Sequence, residues 1–116
     1  MTRGAQPVDV AIRGSKIDLF SLRGAKVKRL TLRDCHVGTL DISMSTIDGL
    51  TVHGGTVGEL LTDDARMKLV DVSGTELHAV GHPGSLRGLV VSPSQMADMA
   101  DALATHLGIV VRAEDE

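Results

Sequence analysis

Leu30-Thr31-Leu32-Arg33-Asp34-Cys35-His36-Val37-Gly38-Thr39-Leu40-Asp41-Ile42-Ser43-Met44-Ser45-Thr46-Ile47-Asp48-Gly49 carries an apolar residue at every fifth position, Leu32, Val37, Ile42 and Ile47. A period of five fits neither the 3.6-residue helix nor the two-residue strand, so no ordinary element hides these side chains on one face. A coil that turns a corner every five residues does. Working outward, the comb extends back through Val27, Leu22, Ile17 and Ile12. It runs forward through Val52, Val57, Thr62, Met67, Val72 and Leu77, with Thr62 its one polar member. Two places before each tooth lies a second comb, Val10, Ser15, Phe20, Ala25, Leu30, Cys35, Leu40, Ser45, Leu50, Gly55, Leu60, Ala65, Val70, Thr75 and Val80. It alternates large and small without a miss. Stacked short units filled by aliphatic ladders give this pattern, and they explain how a chain with Phe20 as its one aromatic residue can build a core from 42% apolar residues.

The units Phe20-Ser21-Leu22-Arg23-Gly24, Leu40-Asp41-Ile42-Ser43-Met44 and Val70-Asp71-Val72-Ser73-Gly74 resemble the pentapeptide-repeat family, over about residues 8–80. The chain departs from that family's pattern where large residues replace Ala in every second unit and where Asp is missing from many second places. The resemblance implies an all-β solenoid, a right-handed quadrilateral β-helix of about three and a half coils with four five-residue sides per turn. Residues 86–95 and Gly108-Ile109-Val110-Val111 resemble the ending of bacterial, particularly actinobacterial, members of that family.

With four sides per turn, residues twenty apart stack. Ile12, Leu32, Val52 and Val72 form one inner column, Ile17, Val37, Val57 and Leu77 the next, then Leu22, Ile42 and Thr62, then Val27, Ile47 and Met67. Large side chains on two opposing sides and small ones on the sides between fill a narrow square interior. Thr62 marks either a local irregularity at Asp63-Asp64 or a hydroxyl bonded to a nearby carbonyl. Cys35, the one cysteine, falls on an inward position and reads as a small buried hydrophobe.

Residues 81–116 read differently from the repeat of residues 8–80, within one structural domain. Gly81-His82-Pro83-Gly84 breaks the comb and ends the coil. Leu89 to Val91 make a short strand. Ser92 as N-cap, Pro93 in the first helical position and Gln95 as capping-box partner start a helix over 93–107, with Gly108 as its stop. Met96, Met99, Ala100, Leu103 and Leu107 recur at helical spacing, an apolar side that makes this a capping α-helix over the open end of the solenoid. The alternative use of Met96, Met99 and Leu103 is a partner surface.

Charge is uneven along the chain. Residues 1–34 hold eight Lys or Arg against three Asp, and residues 35–80 hold two against seven Asp or Glu. A coil axis running from basic to acidic follows, with Lys28, Asp48 and Lys68 in one outward column and Arg23, Ser43 and Asp63 in another. No run approaches the roughly 20 apolar residues of a membrane span, and the start has no apolar signal region. A cytoplasmic setting is the expectation.

Candidate catalytic, cofactor-binding and metal residues are none. His36, His53, His78, His82 and His106 share no column and no ligand spacing, and no phosphate-cradling glycine pattern occurs. Two function classes remain. The first is a non-enzymatic structural or protein-protein interaction module. The second is a mimic of duplex DNA that occupies a topoisomerase such as DNA gyrase. Duplex DNA carries one charge per about 1.7 Å, whereas basic and acidic residues balance here over residues 1–80. That weighs against the mimic, and the lack of aromatic platforms weighs against nucleic acid as a partner. The first coil leaves Val8, Val10, Ile12, Ile17 and Phe20 facing water at an uncovered strand edge, so a homodimer through the N-terminal coil is expected.

Overall fold

The computed structural model describes residues 10–81 and 86–112. Ten strands and one helix follow in chain order: β1 (Val10–Arg13), β2 (Lys16–Ser21), β3 (Lys26–Val27), β4 (Leu30–Arg33), β5 (His36–Asp41), β6 (Thr46–Ile47), β7 (Leu50–Leu61), β8 (Arg66–Met67), β9 (Val70–Val80), β10 (Leu89–Val90) and α1 (Pro93–Leu107). Every strand pairing is parallel. Val10, Leu30, Leu50 and Val70 lie one above another, as do Lys16, His36, Thr56 and Glu76, and Lys26, Thr46 and Arg66, so one turn takes twenty residues. The result is a β-solenoid of about four turns.

Four walls make each turn. The first holds β1, β4, the start of β7, the start of β9 and then β10. The second holds β2, β5 and the ends of β7 and β9. The third is a stack of β-turns, closed by the Ala25, Ser45 and Ala65 N–H groups donating to the Leu22, Ile42 and Thr62 carbonyls at 2.9, 3.2 and 3.0 Å. Positive φ at Gly24, Met44 and Asp64 (73°, 59° and 55°) is what the third residue of a type II turn requires. The fourth wall is the three-stranded sheet β3-β6-β8.

The interior is the one the two combs predict. Leu32, Ile42, Ile47, Val52, Val57 and Val72 from the first comb and Leu40, Leu50, Leu60 and Val70 from the second are fully buried. The small members allow close approach of successive layers. Gly55 has φ 66°, and a Cβ there would stand 2.0 Å from the Cys35 carbonyl oxygen. Its neighbour Thr75 donates from Oγ1 to the Gly54 carbonyl at 2.9 Å. Cys35 is buried, its Sγ near the Ile12 and Arg33 carbonyls.

Four expectations need correction. The coil does not end at Gly81–Gly84: after residues 82–85, β10 resumes the parallel ladder. It does so one residue early, because Leu89 and not residue 90 sits on Val70. Gly88 takes the seat that Leu69 has one layer down, its carbonyl accepting from the Val70 N–H at 2.9 Å. With φ 94° and 2.2 Å from a Cβ to the Met67 carbonyl oxygen, only glycine fits that seat. Second, the Thr62 hydroxyl makes no hydrogen bond although it is fully buried; the carbonyl, and not the hydroxyl, is the bonded group in its turn. Third, Ser43, expected to face outward between Arg23 and Asp63, is buried, and its N–H donates to Asp41 Oδ1 at 3.0 Å. Arg23 pairs with Asp41 at 3.7 Å. Burial alone would raise the Asp41 pKa, but the Ser43 N–H, its hydroxyl and the Arg23 guanidinium outweigh it and hold the carboxyl below its usual value. Lys28 does pair with Asp48, at 3.5 Å.

The fourth correction concerns α1. The Ser92 capping box forms, with Gln95 Oε1 accepting from the Ser92 N–H at 2.8 Å, and Gly108 closes the helix in the left-handed region. The buried line of the helix, however, runs through Gln95 and Ala104 with Met99 and Leu103 half-buried, while Met96, Ala100 and Leu107 face solvent. Gln95 sets that rotation. Its Nε2 donates to the Val72 and Thr75 carbonyls, both at 2.7 Å, which pins the first turn of α1 to the top of β9. Gln95, Met99 and Leu103 are spaced by four and therefore share the row that follows this pin.

Candidate functional site

Among the described residues, the first layer of the solenoid has a strand neighbour on one side only along every strand it contains. β1 pairs with β4, β2 with β5 and β3 with β6, and the described residues add nothing beyond them. Side-chain burial follows. Val10, Ile12, Ile17 and Phe20 are half-buried, whereas the residues seated on them, Leu30, Leu32, Val37 and Leu40, are buried. Leu19, at the corner of the same layer, is 60% exposed. Strand edge and apolar side chains thus coincide over one end, the combination that pairs with another chain. Val8 lies outside the described residues.

At the other end, Met96, Met99 and Leu103 come together around a groove of about 210 Å³ whose opposite side is Leu86, Leu89 and Val91. A second cavity of about 190 Å³ under the helix lies against Leu77, Val80, Met99 and Leu103. Gln95 reaches it, but its amide is already committed at both atoms. The seven described candidate interface residues therefore fall into two clusters at opposite ends of the solenoid. Beyond them, sequence reading passed over as a surface the run that follows the helix: Ile109, Val110 and Val111 are 56 to 77% exposed. The signal was present, three consecutive β-branched residues after a glycine stop, and went unused as a surface because nothing polar opposes them to give a period.

The histidines are separate. His36 Nδ1 lies 3.0 Å from Thr56 Oγ1, and His78 Nε2 lies 3.2 Å from Glu76 Oε2. His106 stands in the last turn of α1, where a cation complements the helix dipole, and His82 lies outside the described residues. Among the described residues no three His, Cys, Asp or Glu side chains gather as a metal site. No described helix is long and apolar enough to cross a membrane.

Charge sorts by wall as well as along the axis. Lys26 and Lys28, two layers below Arg66 and Lys68, leave the fourth wall on the same side, so this wall stays basic where the sequence count turns acidic. No family model, curated protein or solved structure matches the chain.

Proposed function

We infer that this chain is a non-enzymatic structural or protein-interaction module of pentapeptide-repeat type, self-associating through its first coil. The step from half-buried Ile12, Ile17 and Phe20 to buried Leu32, Val37 and Leu40 one layer up carries this reading. A second copy placed over that end would supply the missing layer. A two-fold axis joins two short coils into one longer rod. The exposed Ile109–Val111 run favours a second reading, in which the C-terminal end makes the contact. A DNA mimic is disfavoured by the basic fourth wall, since a mimic needs acidic walls throughout.

Light scattering with two variants separates these readings. Leu19→Lys and Val110→Lys both alter exposed side chains and leave the core intact. A dimeric mass lost in Leu19→Lys and kept in Val110→Lys supports the N-terminal contact, and the reverse pattern supports the C-terminal one. A monomer at low and at high salt overturns self-association.

A further inference from the structure

On the fourth wall the inward residues are Val27, Ile47 and Met67, and alternation sends their neighbours outward. Lys26 and Lys28 flank Val27, and Arg66 and Lys68 flank Met67; all four are exposed, and Arg87 is exposed beside them. The layer between contributes Thr46, which is short, and Asp48, which is tied to Lys28. Two shallow depressions, of about 430 and 360 Å³, share Thr46, Asp48 and Arg66 and form one trough. Ile47, Ala65 and Met67 line the part of it nearer Arg87. Among the described residues no acidic side chain pairs with Lys26, Arg66, Lys68 or Arg87. A compact wall therefore presents five cations and one neutralised carboxylate on a chain whose formal net charge is −3.

We propose that this trough docks an acidic, extended polypeptide segment of a partner protein, which rests on reading the chain as an interaction module. Residues i and i+2 on a strand stand about 6.6 Å apart, and so do alternate carboxylates on an extended peptide. Arg66 with Lys68, and Lys26 with Lys28, are two comparable rungs, the first residue of each on its two-residue strand and the second at the bend just past it, with Lys28 shared with Asp48. A peptide lying along the strands meets one rung with two carboxylates on one side and sets its intervening side chains over the Ile47–Met67 floor. Nucleic acid fits less well. A phosphodiester strand crossing the wall meets Asp48, no aromatic side chain stands there to stack a base, and a flat wall inserts into no groove.

The probe is a fluorescein-labelled peptide of alternating Glu and Thr, followed by anisotropy against the full chain. Binding at low ionic strength, weakened by added salt, is expected. Arg66→Glu/Lys68→Glu and Lys26→Glu/Lys28→Glu each weaken it by at least about tenfold. The charge-matched Lys16→Glu/Arg33→Glu, which alters exposed side chains on the second and first walls, retains it. Circular dichroism melts identify any variant that has lost its fold, and the second rung variant then serves in place of the first. No binding by the native chain, equal binding by the folded rung variants, or tighter binding of labelled DNA of equal charge overturns the proposal. Light scattering on the same samples reads self-association separately, so failure of one inference is not failure of the other.

Discussion

Thr62 is the residue at which the repeat is least satisfied. Its hydroxyl is sealed in a column of Leu22 and Ile42 with no hydrogen-bond partner, while its backbone carbonyl holds the turn. A buried unpaired hydroxyl costs about 1–3 kcal/mol, and valine has nearly the same shape without it. Thr62→Val is therefore expected to stabilise the protein by about 1 kcal/mol, a rise of roughly 4 °C in Tm for a chain of this size. A melting temperature equal to or below that of the native chain would show that the hydroxyl finds a partner in solution. The sequence made the position visible but not the outcome: a period identifies which side chain points inward, and says nothing about which carbonyl lies within reach of its oxygen.

Single elements show the same division. The strands and their register follow from the combs because each inward tooth must lie on the tooth twenty residues away, and a slip of one would turn core to surface. The ends of α1 were equally legible, since Ser92, Pro93, Gln95 and Gly108 act through local backbone geometry. Its rotation was not, because an apolar count cannot anticipate that Gln95 turns its amide to two carbonyls of β9. Gln95→Glu tests this pin. The glutamate keeps the oxygen that caps Ser92 but replaces the donor by an acceptor facing two carbonyls. A loss of about 2–4 kcal/mol is expected at neutral pH, partly regained in acid as the carboxyl takes up a proton. Thermal melts at the two pH values read it, and equal stability at both would mean the helix is held by its apolar contacts alone.

For the whole molecule, the solenoid has a single contiguous core, and inward teeth recur at alternating spacings of two and three residues. Leu50 is fully buried between Leu30 and Val70, and the adjacent Thr51 lies half-buried in the outward column between Thr31 and Asp71. Leu50→Asp buries an unpaired charge, a cost of several kcal/mol against a total stability of about 5–15, and should unfold the chain. Thr51→Asp places a second carboxylate near Asp71 and should cost under about 1 kcal/mol. Similar melting temperatures for the two would contradict the five-residue frame. The basic wall could have been read from the sequence by wrapping it at twenty residues; counting charge along the chain hid it, since Arg66 and Lys68 fall in a segment that is acidic on average. The one-residue advance at Gly88 bears on how such a chain can change its length over evolutionary time. Duplicating any twenty-residue stretch between Val10 and Val80 leaves both combs in step, so the rod can grow there by tandem copying. A stretch copied across the slip arrives nineteen residues on, and each later duplicate would carry its apolar teeth one further place around the perimeter. The glycine thus acts as a ratchet on gene duplication, leaving the solenoid free to lengthen on one side of it and barred from doing so on the other.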